Sequence, residues 1–513
     1  MEKHIKHVVV LGGGTAGWLS ASLIRAELAC QSIEVTLIES PDIPTIGVGE
    51  GTWPSMRQTL ARIGFPESLL FTDCNASFKQ GSLFLNWSND DIPHRYHHPF
   101  TAPWQTSSID TSLFWSQRAK KTLPFAHTVN AQARLVEMNI APKDITTPEY
   151  AAINNYGYHF DAGLFVKRLT EFAVSTLGVR LITANVTQVH EDSDGFITGL
   201  STDISKKIDG DFFIDCSGQH GLLIDKHSQI PFISVKHELF NDRAIAMQLP
   251  YEETNSPIAS ATVATAYESG WVWDIGLQHR RGIGFVYSSQ FCTEEQALSQ
   301  LHNHIQHVTN QTPLGKPKFI QFNPGYREKF WHKNILAIGM AAGFVEPLEA
   351  SALVMIEQAA KFFVDHFPHA YDQLALCETR YNHLTTERWR DIVDFLKLHY
   401  VLSKRTSDYW QHHHNPDTQS PRLTQWLTHW KTHRPSRFDV PQIESLFPSA
   451  SFEYILHGMG FEQQLQLTQS ELAIVEQTEK EYGNLINEAK RLLNLPTNRS
   501  LLNKIAIHGL PKI

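Results

Sequence analysis

The stretch Gly12-Gly13-Gly14-Thr15-Ala16-Gly17 constrains this chain more than any other. An apolar run, His7–Leu11, precedes it, and residues 18–28 read as a helix. Glycines at this spacing permit a tight turn and bring backbone N–H groups at a helix start against a pyrophosphate. Residues 33–38 read as the second strand, and Glu39 ends it, 22 residues beyond Gly17. A carboxylate at that place binds ribose hydroxyls. Strand, glycine turn, helix, strand and terminal acid together predict a dinucleotide site at Gly12, Gly14, Thr15, Ala16, Gly17 and Glu39. The motif alone does not separate FAD from NAD.

A second stretch, residues 343–353, reads Gly-Phe-Val-Glu-Pro-Leu-Glu-Ala-Ser-Ala-Leu after the apolar run 335–339. Leu353, Ile356, Ala360 and Val364 recur at helical spacing. Pro347 suits the first turn of that helix. Glu349 is then expected near backbone N–H groups that lack internal partners, a place that holds an anion.

Composition sets bounds. A chain of 513 residues, 42% hydrophobic and 19% charged, has the make-up of a soluble globular protein of one to three domains. A net charge of -9 does not suggest a nucleic-acid partner. Five scattered cysteines without a CxxC pair point to a reducing compartment. No apolar run approaches the ~20 residues of a membrane span, so the reading is cytoplasmic. The run His412-His413-His414 reads as a solvated loop, and no metal site is expected.

Other segments are ambiguous taken singly. Residues 47–54, rich in glycine, read as a backbone able to approach a flat ligand or as a flexible loop. Residues 75–84 read as a bend into a strand, with Lys79 among apolar neighbours; a lone lysine is usually solvated. His97-His98-Pro99-Phe100 reads as a surface loop with one aromatic anchor. Residues 179–183 and 186–190 read as a strand pair closing a second layer, and Cys216 reads as core. Trp271 and Trp273 share one face of a strand, packing a core or lining a pocket. Beyond residue 356 the chain turns helical, clearest at 357–367, 371–400 and 470–493.

In combination these segments resemble the flavin-dependent tryptophan halogenases over nearly the whole chain, most closely from residue 7 to about 410. Gly12 to Trp18 looks like the family's FAD fingerprint, and Gly47 to Glu50 with Pro54 is similar to its GVGE loop. Asn75 to Lys79 matches the segment of the catalytic lysine, and Phe344 to Glu349 that of the catalytic glutamate. His98 and Phe100 fall in a substrate-pocket segment. The resemblance implies an α/β (α+β) FAD-binding GR2-type Rossmann-like monooxygenase fold with a mixed sheet. Its FAD-binding and substrate domain would span 1–400 and a helical subdomain 401–513. Reduced FAD would also meet Gly49, Glu50, Val186, Met340 and Leu353, and would come from a separate NAD(P)H-dependent reductase. Backbone N–H groups of Ser351 and Ala352 would hold chloride or bromide. Trp271 and Trp273 would wall the flavin from an indole or other aromatic substrate. Hypohalous acid would travel to Lys79, with Glu349 as base, and a homodimer would be ordinary.

The chain departs from the family at three places. Gly276 replaces a proline after Trp271, Trp273 and Ile275. Ala350-Ser351-Ala352 replaces a Ser-Thr-Gly run. Residues 450–461 do not map onto the aromatic and acidic cluster that grips free tryptophan. Two other readings share the fingerprint: a single-component FAD-dependent aromatic hydroxylase, and a flavin-binding protein without halogenating activity.

Overall fold

Short runs of Val, Ile and Leu, too continuous to alternate, form strands buried on both faces. His7–Leu11 is such a strand, paired in parallel with Glu34–Glu39 on one side and Phe212–Asp215 on the other. Arg180–Thr183 extends the sheet beside Glu34–Glu39, and Ile335–Ala337 extends it beside Phe212–Asp215. The antiparallel strand Trp331–His332 completes six strands. The structure is a computed structural model that describes residues 3–43, 49–90, 93–118, 123–204, 207–309, 311–440 and 445–512. Gly47 and Val48 of the glycine-rich loop lie outside the described residues.

The chain divides into two compact units, each of three segments. One comprises residues 1–76, 160–235 and 322–389, the other 77–159, 236–321 and 390–513. This division differs from the contiguous 1–400 and 401–513 expected from the sequence. The chain leaves each unit and returns to it, which local patterning does not register.

The first unit holds the six-stranded sheet with helices Thr15–Glu27, Ser55–Ile63, Ala162–Phe172 and Ser351–Asp365. Leu353, Ile356, Ala360 and Val364 are all buried, as their spacing predicts. One expectation fails here. Residues 180–183 and 186–191 are not a strand pair: Arg180–Thr183 joins the parallel sheet, while Val186–Glu191 opens a separate antiparallel sheet of three.

The second unit is built on a seven-stranded sheet. Its order runs Leu314–Gln321, Arg243–Pro250, Arg280–Tyr287, Gly270–Gly276, Thr262–Tyr267, Gly81–Leu85 and Arg95–Pro99. Gly270–Gly276 pairs antiparallel with Arg280–Tyr287 as a hairpin. Helix Glu294–Val308 covers one face over a core that includes Ile245, Val272, Phe285 and Leu301. The described part of residues 401–513 is mostly helical.

The histidine run is not uniformly solvated. His413 is fully buried, its ring stacked 4.2 Å from both Tyr400 and Phe240, with Lys397 Nζ 3.0 Å from its Nδ1. A helix, Asp408–His412, turns it inward, while His412 stays exposed. Among the described residues no helix is long and apolar enough to cross a membrane.

Candidate active site

The residues expected to cradle a nucleotide lie in the first unit. Helix Thr15–Glu27 starts at Gly14, which supplies no side-chain cap. Its first internal bond runs from Trp18 N to Gly14 O, so the amides of Thr15, Ala16 and Gly17 have no partner in their own helix. Side chains are barred around the turn. A Cβ on Gly17 would lie 1.8 Å from Gly12 O, and one on Gly12, at φ +122°, 2.2 Å from Cys216 O. A Cβ on Gly13 would meet the Glu39 carboxylate at 2.2 Å. Before Gly14, in contrast, there is open space to 4 Å. Uncapped amides beside the open space at Gly14, with Glu39 beside the turn, suit the diphosphate and ribose of a dinucleotide.

The remaining predicted flavin contacts are arranged on the same unit. Ala184 N bonds Glu39 O at 2.8 Å and Ser40 Oγ bonds Asn185 Oδ1 at 2.6 Å, which brings Val186 beside the strand end carrying Glu39. Met340 lies on a short turn, Gly339–Ala341, where a Cβ on Gly339 would come 2.8 Å from Ala16. The same added Cβ would lie 3.7 Å from Ile356, one turn beyond Leu353. Gly49 is buried, and Glu50 is half-buried with its Oε2 enclosed and lacking a hydrogen-bond partner among the described residues. Burial, helped by the Asp161 charge, pushes the Glu50 carboxyl up to about 7. An enclosed carboxyl oxygen without a partner is what a ligand-side group looks like when nothing of the protein satisfies it.

The segment after Gly343 differs from expectation in one respect. Pro347 is not in the first helical turn; residues 347–350 form a turn, closed by Ala350 N to Pro347 O at 3.1 Å, and the helix begins at Ser351. Glu349 still stands two residues ahead of the helix and is 4% exposed. Its backbone carbonyl accepts from Trp53 Nε1 at 2.7 Å, a support the sequence did not reveal. The departure at Ala352 is conformationally harmless, because Ala352 already lies within the helix. Strain falls instead on Ala350, the N-cap, at φ 55° and ψ 40°, where a Cβ costs about 1 kcal/mol. Ala350 provides no side-chain cap, so the Ser351 and Ala352 amides keep their free donor character.

The second unit holds the predicted lysine. Ser77–Lys79 pairs antiparallel with the strand beginning at Gly157, Lys79 opposite Gly157. Lys79 is 1% exposed, so the solvated reading is wrong. Its Nζ lies 5.5 Å from the centre of the Phe100 ring, a cation–π distance. His159, opposite Ser77, donates or accepts at 2.8 Å with Thr262 Oγ1. Burial, and then the Lys79 charge, hold the His159 imidazole well below its usual range, so it is neutral.

His98 is also buried, on strand Arg95–Pro99 rather than on a surface loop, with Nε2 2.9 Å from Ser451 Oγ. Trp271 and Trp273 do share a face, their rings 6.4 Å apart, and Trp271 packs 6.2 Å from Trp87. Gly276 ends that strand where a Cβ would sit 3.1 Å from both Ile258 and the Tyr251 hydroxyl, which accounts for a residue without a side chain. Cys216 is core, as read. Lys143, another buried lysine, escaped the sequence reading: its Nζ lies 5.3 Å from the Tyr156 ring and donates to Pro148 O. Nothing in its local pattern distinguishes it from a surface lysine.

A model of the family described as tryptophan halogenase matches residues 7–471. The tryptophan 7-halogenase RebH of Lentzea aerocolonigenes is 33% identical over 428 residues, 80% of this chain and 79% of RebH. A tryptophan halogenase structure from Shewanella frigidimarina NCIMB 400 superposes with a TM-score of 0.95 at 42% identity, covering 100% of both chains. Xcc4156, a flavin-dependent halogenase from Xanthomonas campestris, superposes with a TM-score of 0.86 at 27% identity, covering 100% of this chain and 99% of its own. These matches select the halogenase reading over the hydroxylase and the non-catalytic flavoprotein. With its α/β fold, its glycine cradle and its buried lysine and glutamate, the chain belongs to the tryptophan halogenase family, a family of flavin-dependent halogenases.

Proposed function

We propose that this chain halogenates an indole, or a similarly electron-rich ring, that is not presented as free tryptophan. Lys79 carries the reading. It is a buried ammonium beside the Phe100 ring, in a segment that matches the family's lysine. FAD would be held by Gly12, Gly14, Thr15, Ala16, Gly17, Glu39, Gly49, Glu50, Val186, Met340 and Leu353. When bound in reduced form it supplies, with O2, the two-electron oxidation of halide to hypohalous acid. Ser351 and Ala352 amides would orient chloride or bromide at the helix start; in the family resemblance Trp271 and Trp273 would be the wall between flavin and ring.

The chain's own residues then act in order. Lys79 Nζ donates a hydrogen bond to the oxygen of hypohalous acid and polarises the halogen positively. The ring's π electrons form the carbon–halogen bond as the oxygen–halogen bond breaks, and the oxygen leaves as water after gaining a proton. Glu349 stabilises the cationic ring and takes the proton from the halogenated carbon, a contribution of roughly 10²–10⁴-fold. His98 and Phe100 would border the substrate.

The substrate reading rests on helix Ser449–Gly458. Its acid, Glu453, is already engaged by Arg434 at 2.9 Å and by Ser112 Oγ at 2.8 Å. Tyr454 donates to Thr101 O and also meets Asn130. Neither group is left to grip an amino acid's ammonium. A separate NAD(P)H-dependent reductase would deliver reduced FAD, and the enzyme would act in the cytoplasm, where a homodimer would be ordinary. The test is Lys79→Ala, assayed with reductase, FAD, bromide and indole. Halogenated product should vanish while flavin reoxidation continues; product at the wild-type rate would remove the role of Lys79.

A further inference from the structure

Three metal-ligating side chains converge in the second unit, apart from the residues discussed above. His97 lies on strand Arg95–Pro99, His127 on helix Phe125–Val129, and Glu137 ends helix Gln132–Glu137. Their ligand atoms all fall within 4.8 Å of one another. His127 Nε2 is 3.0 Å from Glu137 Oε2, and His97 Nε2 is 3.8 Å from Glu137 Oε1. The two imidazole rings stand 5.2 Å apart at 80°, edge to face.

The independent observation is His97 itself. It is 2% exposed, and its Nε2 has no hydrogen-bond partner among the described residues. Buried ring nitrogens are ordinarily satisfied. This one points toward the other two donors instead of toward a carbonyl or hydroxyl.

We propose that His97, His127 and Glu137 bind a divalent transition-metal ion of the zinc class. Two imidazole nitrogens and one carboxylate suit zinc, cobalt or ferrous iron, whereas calcium and magnesium favour all-oxygen shells. Bonds of roughly 2.0–2.2 Å place neighbouring donors somewhat over 3 Å apart, so closure needs only small side-chain rotations. Three protein donors leave one tetrahedral position for water or another ligand. Arg95 competes weakly: its guanidinium is 3.7 Å from Glu137 Oε1 but is 63% exposed and free to swing into solvent. A bound ion would tie strand Arg95–Pro99, which also carries His98, to the two helices that follow.

The test uses the full-length protein, free of flavin, titrated with Co2+. One equivalent should bind with the intense visible absorption of a four-coordinate site, and Zn2+ should displace it. His127→Ala and Glu137→Gln should each weaken uptake by about 10-fold or more, while His302→Ala, at an exposed histidine, should not. Wild-type crystals soaked in Zn2+ should place an anomalous peak among the three side chains, a readout that needs no variant to fold. Absence of stoichiometric uptake, equal uptake by the variants, or a zinc peak only elsewhere overturns the site.

Discussion

Replacing Glu357 by Gln should stabilise the protein at alkaline pH and leave it nearly unchanged at acid pH. Glu357 lies inside helix Ser351–Asp365 with its carboxyl buried. Thr59 Oγ1 reaches it at 2.5 Å and Ser55 Oγ at 3.1 Å, both from helix Ser55–Ile63. Burial pushes this carboxyl up from 4.5 to about 7, against the pull of those two hydroxyls. The folded chain therefore retains a proton that the unfolded chain releases at lower pH. The stability this group lends is complete below about pH 4.5 and is lost as pH rises through about 7. At 1.36 kcal/mol per unit, the loss is about 3 kcal/mol. Gln matches the neutral acid in shape, keeps an acceptor for the hydroxyls and does not titrate. The assay is thermal unfolding of both proteins at a series of pH values. The difference between them isolates Glu357, because every other titrating group, Glu50 included, is common to both. The Tm of the variant should overtake that of the wild type as pH rises. A gap that is independent of pH, or that closes as pH rises, would refute the assignment of a buried neutral acid.

Three further outcomes are expected. Glu349→Gln should slow product formation by roughly 10²–10⁴-fold with flavin affinity unchanged, measured by single-turnover product analysis and flavin titration; unaltered turnover would remove the base. Gly14→Ala should fold normally, because its Cβ meets nothing within 4 Å, yet bind FAD more weakly by filling that open space. Gly17→Ala should lose stability as well as flavin, its Cβ falling 1.8 Å from Gly12 O. Equal flavin affinity in Gly14→Ala and wild type, by fluorescence titration, would place the diphosphate elsewhere.

Local pattern carried a large part of this protein. The strand–glycine–helix–strand order, Glu39 at its strand end, and the buried stripe of Leu353, Ile356, Ala360 and Val364 all follow from residue spacing. Their interactions are near neighbours in sequence, and a period or a turn records them. Positional order along the chain also marked Lys79 and Glu349, through likeness to a family. What the pattern lacked is burial created by distant segments. Lys79, His98 and His413 read as solvated because nothing within a few residues encloses them. Lys79 pairs with the strand from 157 onward, and His413 stacks against Phe240 and Tyr400. The hydroxyls on Glu357 come from some 300 positions away, and the His97–His127–Glu137 cluster needs a strand and two helices to meet. Spacing along the chain thus determined the cradle and the helical stripe, whereas only tertiary packing decided which polar side chains lose water. That loss depends on the summed exclusion of solvent by many remote groups, and no short window of sequence contains it.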